Sequence, residues 1–331
     1  MSDQRVSRGT PAGLRFIDVH HHTVLPEYQQ ALIRSGAGDP SRPLRKNSDA
    51  QEALDNMATL GIEAAIFNPL SVAGVHHGDD ANARYLCETT NEALARFSLH
   101  DPKRMGFFAP LPFPDLDGSL RAMEYALDTL GADGLILLTN QNGRYIGDPA
   151  FEALYAEMDR RGAAVFVHPA KPNFVDSLEL KLWAAIVEYP FETTRIAANL
   201  IYNGFMQKYP NIKWILAHAG GCLPYLSLRL RLMEENDEHR PKFSERHPEG
   251  VDPYLDKFWF DTAISGSRAA MAALYAVADP SRIFFGSDWP YIDRVYVEDQ
   301  SNSLVDDPTL TRERFRLMER GNAQRVFPRF G

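Results

Sequence analysis

The stretch FIDVHHHTVLPEY, Phe16 to Tyr28, sets three consecutive histidines directly after an apolar run. The chain has only ten histidines in 331 residues, so three side by side ask for a reason. Side chains alternate along an extended strand, so His20 and His22 share one face and His21 takes the other. The tract reads as a His-x-His pair at the end of a buried strand, with a histidine in the x position. His21 is expected to face outward, against whatever layer covers the strand.

Working outward, the same kind of apolar run recurs. After Leu14–Val19 come Ala64–Asn68, Met105–Ala109, Gly134–Leu138, Ala164–Val167, Lys213–Ala217, Phe258–Phe260 and Ile283–Phe285. Each is short and almost continuously apolar, as suits strands buried on both faces of a parallel sheet. Helical patterns separate them: Asp49–Leu60, Asp80–Phe97, Leu116–Leu130, Pro149–Arg161, Thr193–Lys208, Leu223–Glu235, Ser267–Ala278 and Thr309–Arg320. Asp148-Pro149 is a good N-cap and first-turn pair. Strand and helix alternating in this way predict an α/β fold, a (β/α)8 TIM barrel. A doubly wound open sheet is the runner-up, but neither GxGxxG nor GxxxxGK[ST] follows an early strand. We assign residues 1–13 to a loose polar arm and 14–331 to one barrel domain. The long connections Thr23–Ser48 and Pro169–Glu192 would lie at the C-terminal face, where barrel enzymes keep their sites.

Composition narrows the function classes. Net charge is −9, with 44% apolar and 24% charged residues, which disfavours nucleic-acid binding through a basic face. Cys87 and Cys222 are the only cysteines, too few for a disulfide framework, and a reducing, cytoplasmic location is expected. The polar N-terminus has no leader-like apolar segment, and no apolar run approaches the ~18 residues a membrane span needs.

The chemistry sits at strand ends. His20 and His22 close the first apolar run, His168 the fifth, His218 the sixth, and Asp288 follows the eighth. In a barrel those ends converge on one rim. Imidazoles and a carboxylate meeting there make a site for zinc, with manganese or iron as alternatives. Asp18 lies two residues before His20 and is expected on the same face, one layer deeper. A carboxylate there either orients a ligand imidazole or is satisfied by backbone. His76 and His77 read as a turn before the helix at Asp80, and His100, His239 and His247 as surface.

The motifs DVHHH, VFVHP, AHAGG and FGSDWP, in that order, resemble the amidohydrolase superfamily. The resemblance is closest to the branch of aminocarboxymuconate semialdehyde decarboxylase and the salicylate- and resorcylate-type decarboxylases. PKRMGFFAPLPFPD, GDPAFEALYAEMDRRG, FETT and GNAQRVF agree with that branch, and the likeness runs from about Leu14 to Phe327. It implies that His20, His22, His168 and Asp288 hold one divalent metal ion, most simply Zn2+ with Mn2+ possible, and that His218 stands beside metal-bound water or substrate. Asp288 and His218 are the catalytic candidates. The fourth run ends LILLTNQN without the lysine that two-metal members carry, which argues for one metal.

For substrate binding, Arg45 and Lys46 lie in the first long loop. Arg229 matches an arginine that reaches the neighbouring subunit's site in the semialdehyde decarboxylase. Tyr28, Phe191 and Trp289 are candidates for an aromatic wall. The resemblance implies a small acidic substrate and a homodimer or higher homo-oligomer. Two chemistries fit the ligand set: non-oxidative decarboxylation of a hydroxylated aromatic or muconate-type acid, and hydrolysis of a lactone or amide by metal-activated water. The branch resemblance favours decarboxylation. A metal-binding scaffold without activity is the non-enzyme alternative, and His218 beside a complete ligand set argues against it.

Overall fold

The computed structural model describes residues 9–37, 48–69, 74–141, 143–235 and 240–331. Eight parallel strands lie in sequence order around a barrel: β1 Phe16–His22, β2 Ile62–Asn68, β3 Met105–Pro110, β4 Gly134–Leu138, β5 Ala164–His168, β6 Lys213–Leu216, β7 Trp259–Asp261 and β8 Ile283–Phe284. The seam between β8 and β1 is joined by bridges from Asp18 to Phe285 and from His21 to Trp289, with Val19 N donating to Phe285 O at 3.0 Å. The (β/α)8 expectation is what the chain forms.

The continuous apolar runs exist because both strand faces are buried. Ile17, Val19, Ile66, Phe108, Ile136, Phe166, Ile215 and Phe284 fill the barrel interior. Their sequence neighbours Phe16, Phe67, Phe107, Leu137, Val167, Trp214 and Phe285 pack outward under the helices. The interior is therefore solid, with Phe108 stacked on Phe166 at 5.5 Å, and only its C-terminal end is polar. Strand β1 carries a register irregularity between Asp18 and His21, which matters below.

Several helices start at a carboxylate or hydroxyl cap: Asp49 accepts from Glu52 N, Asp79 from Asn82 N, Asp115 from Gly118 N and Ser267 from Ala270 N. The helix expected at Thr193 begins at Ala184 and runs to Tyr202. Pro190 inside it merely forgoes one backbone bond whose acceptor, the carbonyl of Ile186, belongs to an exposed residue. The helix Arg294–Val305 escapes the sequence pattern because it buries Glu298, Gln300, Ser301 and Asn302 beside Val297 and Leu304, so no apolar stripe marks it. The N-terminal arm is anchored from Gly9 onward: Thr10 Oγ1 donates to Thr59 O at 2.9 Å and Asn302 Nδ2 to Gly9 O at 2.9 Å. His247 is buried rather than exposed, with its nitrogens on the carbonyls of Phe243 and Ile201. His239 lies outside the described residues. Among the described residues no helix is long and apolar enough to cross a membrane.

Candidate active site

At the C-terminal rim, His20, His22, His168 and Asp288 each present one ligand atom, and these atoms lie within 4.8 Å of one another. His20 Nε2 is 3.2 Å from His22 Nε2, and Asp288 Oδ1 is 3.4 and 3.1 Å from those two nitrogens. The His168 ring stands 5.3 Å from that of His20 and 5.2 Å from that of His22. His218 completes the rim, its ring 5.0 Å from His20 and its Nε2 3.6 Å from Asp288 Oδ2. The residues predicted from separate strand ends therefore meet, and all of the four are buried.

The hydrogen bonds behind these rings decide which nitrogen faces the centre. His20 Nδ1 lies 2.8 Å from Asp261 Oδ2, and His168 Nδ1 lies 2.9 Å from the carbonyl of Pro169. Both partners are acceptors, so both Nδ1 atoms carry a proton and Nε2 is left as the atom that turns inward to ligate. A carboxylate and several lone pairs converging in a buried space repel one another unless a cation sits among them. The residues fit one divalent metal ion on that ground.

The protonation pattern of the metal-free chain agrees. Burial lowers the pKa of His20, but Asp261 and Asp288 override it and push it up to about 10. His22 is lowered by burial, and His168 is held well below its ordinary value by burial and by the neighbouring histidines, so both are neutral and ready to ligate. Burial would raise Asp288, yet its charge interaction with His20 and hydrogen bonds from the surrounding histidines hold it well below the usual carboxylate range.

Backbone strain gathers at the same place. Asp288 has φ +58° and His218 φ +56°, in the left-handed region that non-glycine residues rarely enter. His218 N donates to Asp261 Oδ1 at 3.0 Å, so one carboxylate holds both the His20 ring and the His218 turn. Asp261 was missed in the sequence, although a carboxylate ending the apolar run FWF is the signal that would have found it.

Asp18 corrects its expectation. The irregularity in β1 resets the alternation, so Val19 and His20 both face the interior while Asp18 shares the His21 side. Its carboxylate bonds His21 Nδ1 at 2.9 Å and reaches no ligand imidazole. His21 stacks edge-on against Phe67 in the outer layer, as alternation predicts. His76 is a turn residue, bonded to Asp80 at 3.0 Å.

The pocket wall differs in part from the sequence reading. Tyr28 is buried, its hydroxyl donating to Gly74 O at 2.7 Å. Trp289 packs into the outer layer beneath the helices, because the bridge to His21 directs it there, and Tyr291 instead lies 4.7 Å from the His22 ring. Tyr189 joins them: burial and the Asp288 charge raise its phenol to about 12, and burial with Tyr28, Asp288 and Tyr189 raises Tyr291. Phe191 is half-exposed on the helix Ala184–Tyr202. Arg229 is exposed on the helix Leu223–Leu230, and Arg45 and Lys46 lie outside the described residues. Among the described residues no lysine or arginine forms an ion pair with Asp288.

One further buried carboxylate stands behind the rim. Glu192 accepts from Asn140 Nδ2 at 2.8 Å, Tyr145 Oη at 3.0 Å and Thr139 Oγ1 at 3.3 Å, and pairs with Arg195. Thr139 N donates to His168 O at 2.9 Å, so Glu192 braces the His168 loop from outside. Two open clefts of about 480 and 610 Å3 lie at the opposite end of the barrel, lined by Arg160, Arg161 and Lys213. They hold no imidazole, and their size does not make them the reactive end.

A family model described as Amidohydrolase matches residues 17–329. The 6-methylsalicylic acid decarboxylase of Penicillium expansum is 35% identical over 318 residues, spanning 95% of this chain and 96% of its own. A crystal structure of an amidohydrolase II superposes with a TM-score of 0.83 at 28% identity, covering 94% of this chain and 99% of that one. The 5-carboxyvanillate decarboxylase of Novosphingobium aromaticivorans, crystallised with manganese and a nitrobenzoic acid, shares the fold at a TM-score of 0.81 and 22% identity, over 97% and 98% of the two chains.

Proposed function

Because the chain belongs to the amidohydrolase family, we propose that it is a metal-dependent carboxy-lyase that removes carbon dioxide from a hydroxylated aromatic acid without an oxidant. The observation that carries this reading is the 35% identity to a 6-methylsalicylic acid decarboxylase across 95% of the chain. The converging imidazoles and carboxylate supply its chemistry.

His20, His22, His168 and Asp288 would hold the cation, with Asp261 fixing the His20 ring. Three imidazoles and a carboxylate favour Zn2+, and the manganese in a fold relative makes Mn2+ the alternative. Such an ion, when bound, neutralises the carboxylate and phenolic oxygen of an ortho-hydroxy acid and stabilises the anion. Asp288 and His218, 3.6 Å apart, would take up the proton that the substrate phenol gives up on binding. They deliver it to the ring carbon that carries the carboxylate. The C–C bond then breaks, its electron pair returns to the ring, and carbon dioxide leaves. Tyr28, Tyr189 and Tyr291 wall the substrate ring, in place of the Phe191 and Trp289 of the sequence reading.

The same reading covers organisation. Residues 14–331 form one barrel domain in a cytoplasmic enzyme, consistent with the free thiols of Cys87 and Cys222. Among the described residues no lysine or arginine pairs with Asp288, and the exposed Arg229 is the basic side chain that a second copy would bring to the site. Tyr225 (85% exposed) and Leu228 (69%), on the helix that carries Arg229, give that copy an exposed apolar surface.

The test incubates metal-loaded protein with 6-methylsalicylate, 2,6-dihydroxybenzoate and 5-carboxyvanillate and measures carbon dioxide, beside a lactone panel followed by acid release. Carbon dioxide from at least one acid is expected. Acid release from a lactone with no carbon dioxide from any acid overturns the proposal. Elemental analysis should give about one metal per chain, lost in His20→Ala and Asp288→Ala.

A further inference from the structure

Asp18 and His21 are fully buried beside the candidate metal centre and take no part in it. The Asp18 carboxylate is saturated with donors. Its Oδ1 accepts from His20 N at 2.9 Å and from Ser287 N at 3.1 Å, and its Oδ2 accepts from His21 Nδ1 at 2.9 Å and from the Ser287 hydroxyl. The Ser287 oxygen in turn accepts from Trp289 N at 3.0 Å. Between these residues, Asp288 N donates to His20 O at 2.8 Å.

Every amide from Ser287 to Trp289 therefore ends on Asp18, on the hydroxyl Asp18 orients, or on the strand residue Asp18 holds. Enclosed by those three bonds is Asp288, at φ +58°. A left-handed turn at a non-glycine residue persists only where its surroundings over-determine it. An alternative extended conformation would swing the carboxylate away from His20 and His22.

We propose that Asp18 is a positioning residue, with His21 and Ser287 as its partners, that locks the Asp288 turn of β8 onto β1 and so sets the distance between Asp288 and the two histidines. This rests on the reading of Asp288 as a ligand. It also gives the middle histidine of DVHHH a task. His21 supplies the donor that fixes Asp18 Oδ2, and Phe67 holds its ring edge-on at 5.0 Å.

The test compares Asp18→Asn, His21→Phe and Ser287→Ala with the parent, using Mn2+ as the probe ion. Metal affinity is read by chelator competition, the coordination of bound Mn2+ by its electron paramagnetic resonance spectrum, and the fold by thermal unfolding. Asp18→Asn places an amide donor against the donors that ring it. It is expected to weaken Mn2+ binding by about 10–100-fold and to change the spectrum. His21→Phe and Ser287→Ala each remove one donor. They are expected to weaken binding several-fold with a native unfolding transition, and they decide the matter if Asp18→Asn does not fold. Parent affinity and spectrum in the folded variants overturn the proposal. Asp288→Ala is the control that separates the two readings. If it binds Mn2+ like the parent, the ligand assignment fails; if it alone loses Mn2+, only the positioning role fails.

Discussion

Asp261 shows how one atom decides the behaviour of a neighbour. Its Oδ2 keeps the proton of His20 on Nδ1, and its Oδ1 holds the amides of His218 and Ala263. Asp261→Asn retains the second task but presents an amide N–H to Nδ1. The His20 proton would then move to Nε2 and point into the metal site. Metal affinity should fall by about 10–100-fold by chelator competition while the far-ultraviolet spectrum stays native. Gly286 is a second residue-scale test. A Cβ there would lie 2.9 Å from His20 Cβ and 3.0 Å from Asp261 Cβ, both rigid atoms at the root of their side chains. Gly286→Ala should therefore lose metal without losing the barrel. The pH dependence follows from His20. Its proton is held up to about pH 10 in the metal-free chain, so at neutral pH the cation must displace it. Apparent affinity should rise about tenfold for each pH unit gained between pH 6 and 9, and a flat profile would show that His20 is not displaced.

Among the elements, the helix Ala184–Tyr202 ties the rim together. Glu192 braces the loop after His168, and two residues on, Thr194 Oγ1 accepts Cys222 N at 2.8 Å in the loop after His218. Glu192→Ala would strand the buried donors of Asn140 and Thr139. It should lower unfolding stability by about 2–4 kcal/mol in urea titrations, whereas Glu192→Gln should recover part of it. The same helix shows where sequence patterns stop. FETT is visible as a motif, but the donors that give the buried Glu192 its meaning come from Thr139, Asn140 and Tyr145, which nothing in the local sequence links to it. Likewise Arg294–Val305 is set by contacts such as Gln300 Nε2 to Gly286 O at 2.7 Å, not by an apolar period.

At the scale of the whole molecule, closure of the barrel turns separate strand ends into one site, and assembly would then add to it. If a second copy supplies Arg229, the pair Tyr225→Asp and Leu228→Asp should shift sedimentation from dimer to monomer. Carbon dioxide release should fall with it, although neither residue lies in the described site. A monomeric parent with full turnover would remove that role.

The sequence by itself determined the architecture and the members of the candidate site. Both faces of every strand are buried, so each strand announced itself as an apolar run, and His20, His22, His168, His218 and Asp288 announced themselves as polar residues ending such runs. Tertiary structure alone decided what fixes them. The register break in β1 moved Asp18 from the interior to the His21 side, the bridge from His21 to Trp289 turned that ring outward and left Tyr291 against His22, and Asp261 reached His20 across 241 positions of chain. Strand periodicity is local and survives in the sequence; a hydrogen bond between distant strands exists only once the barrel has closed.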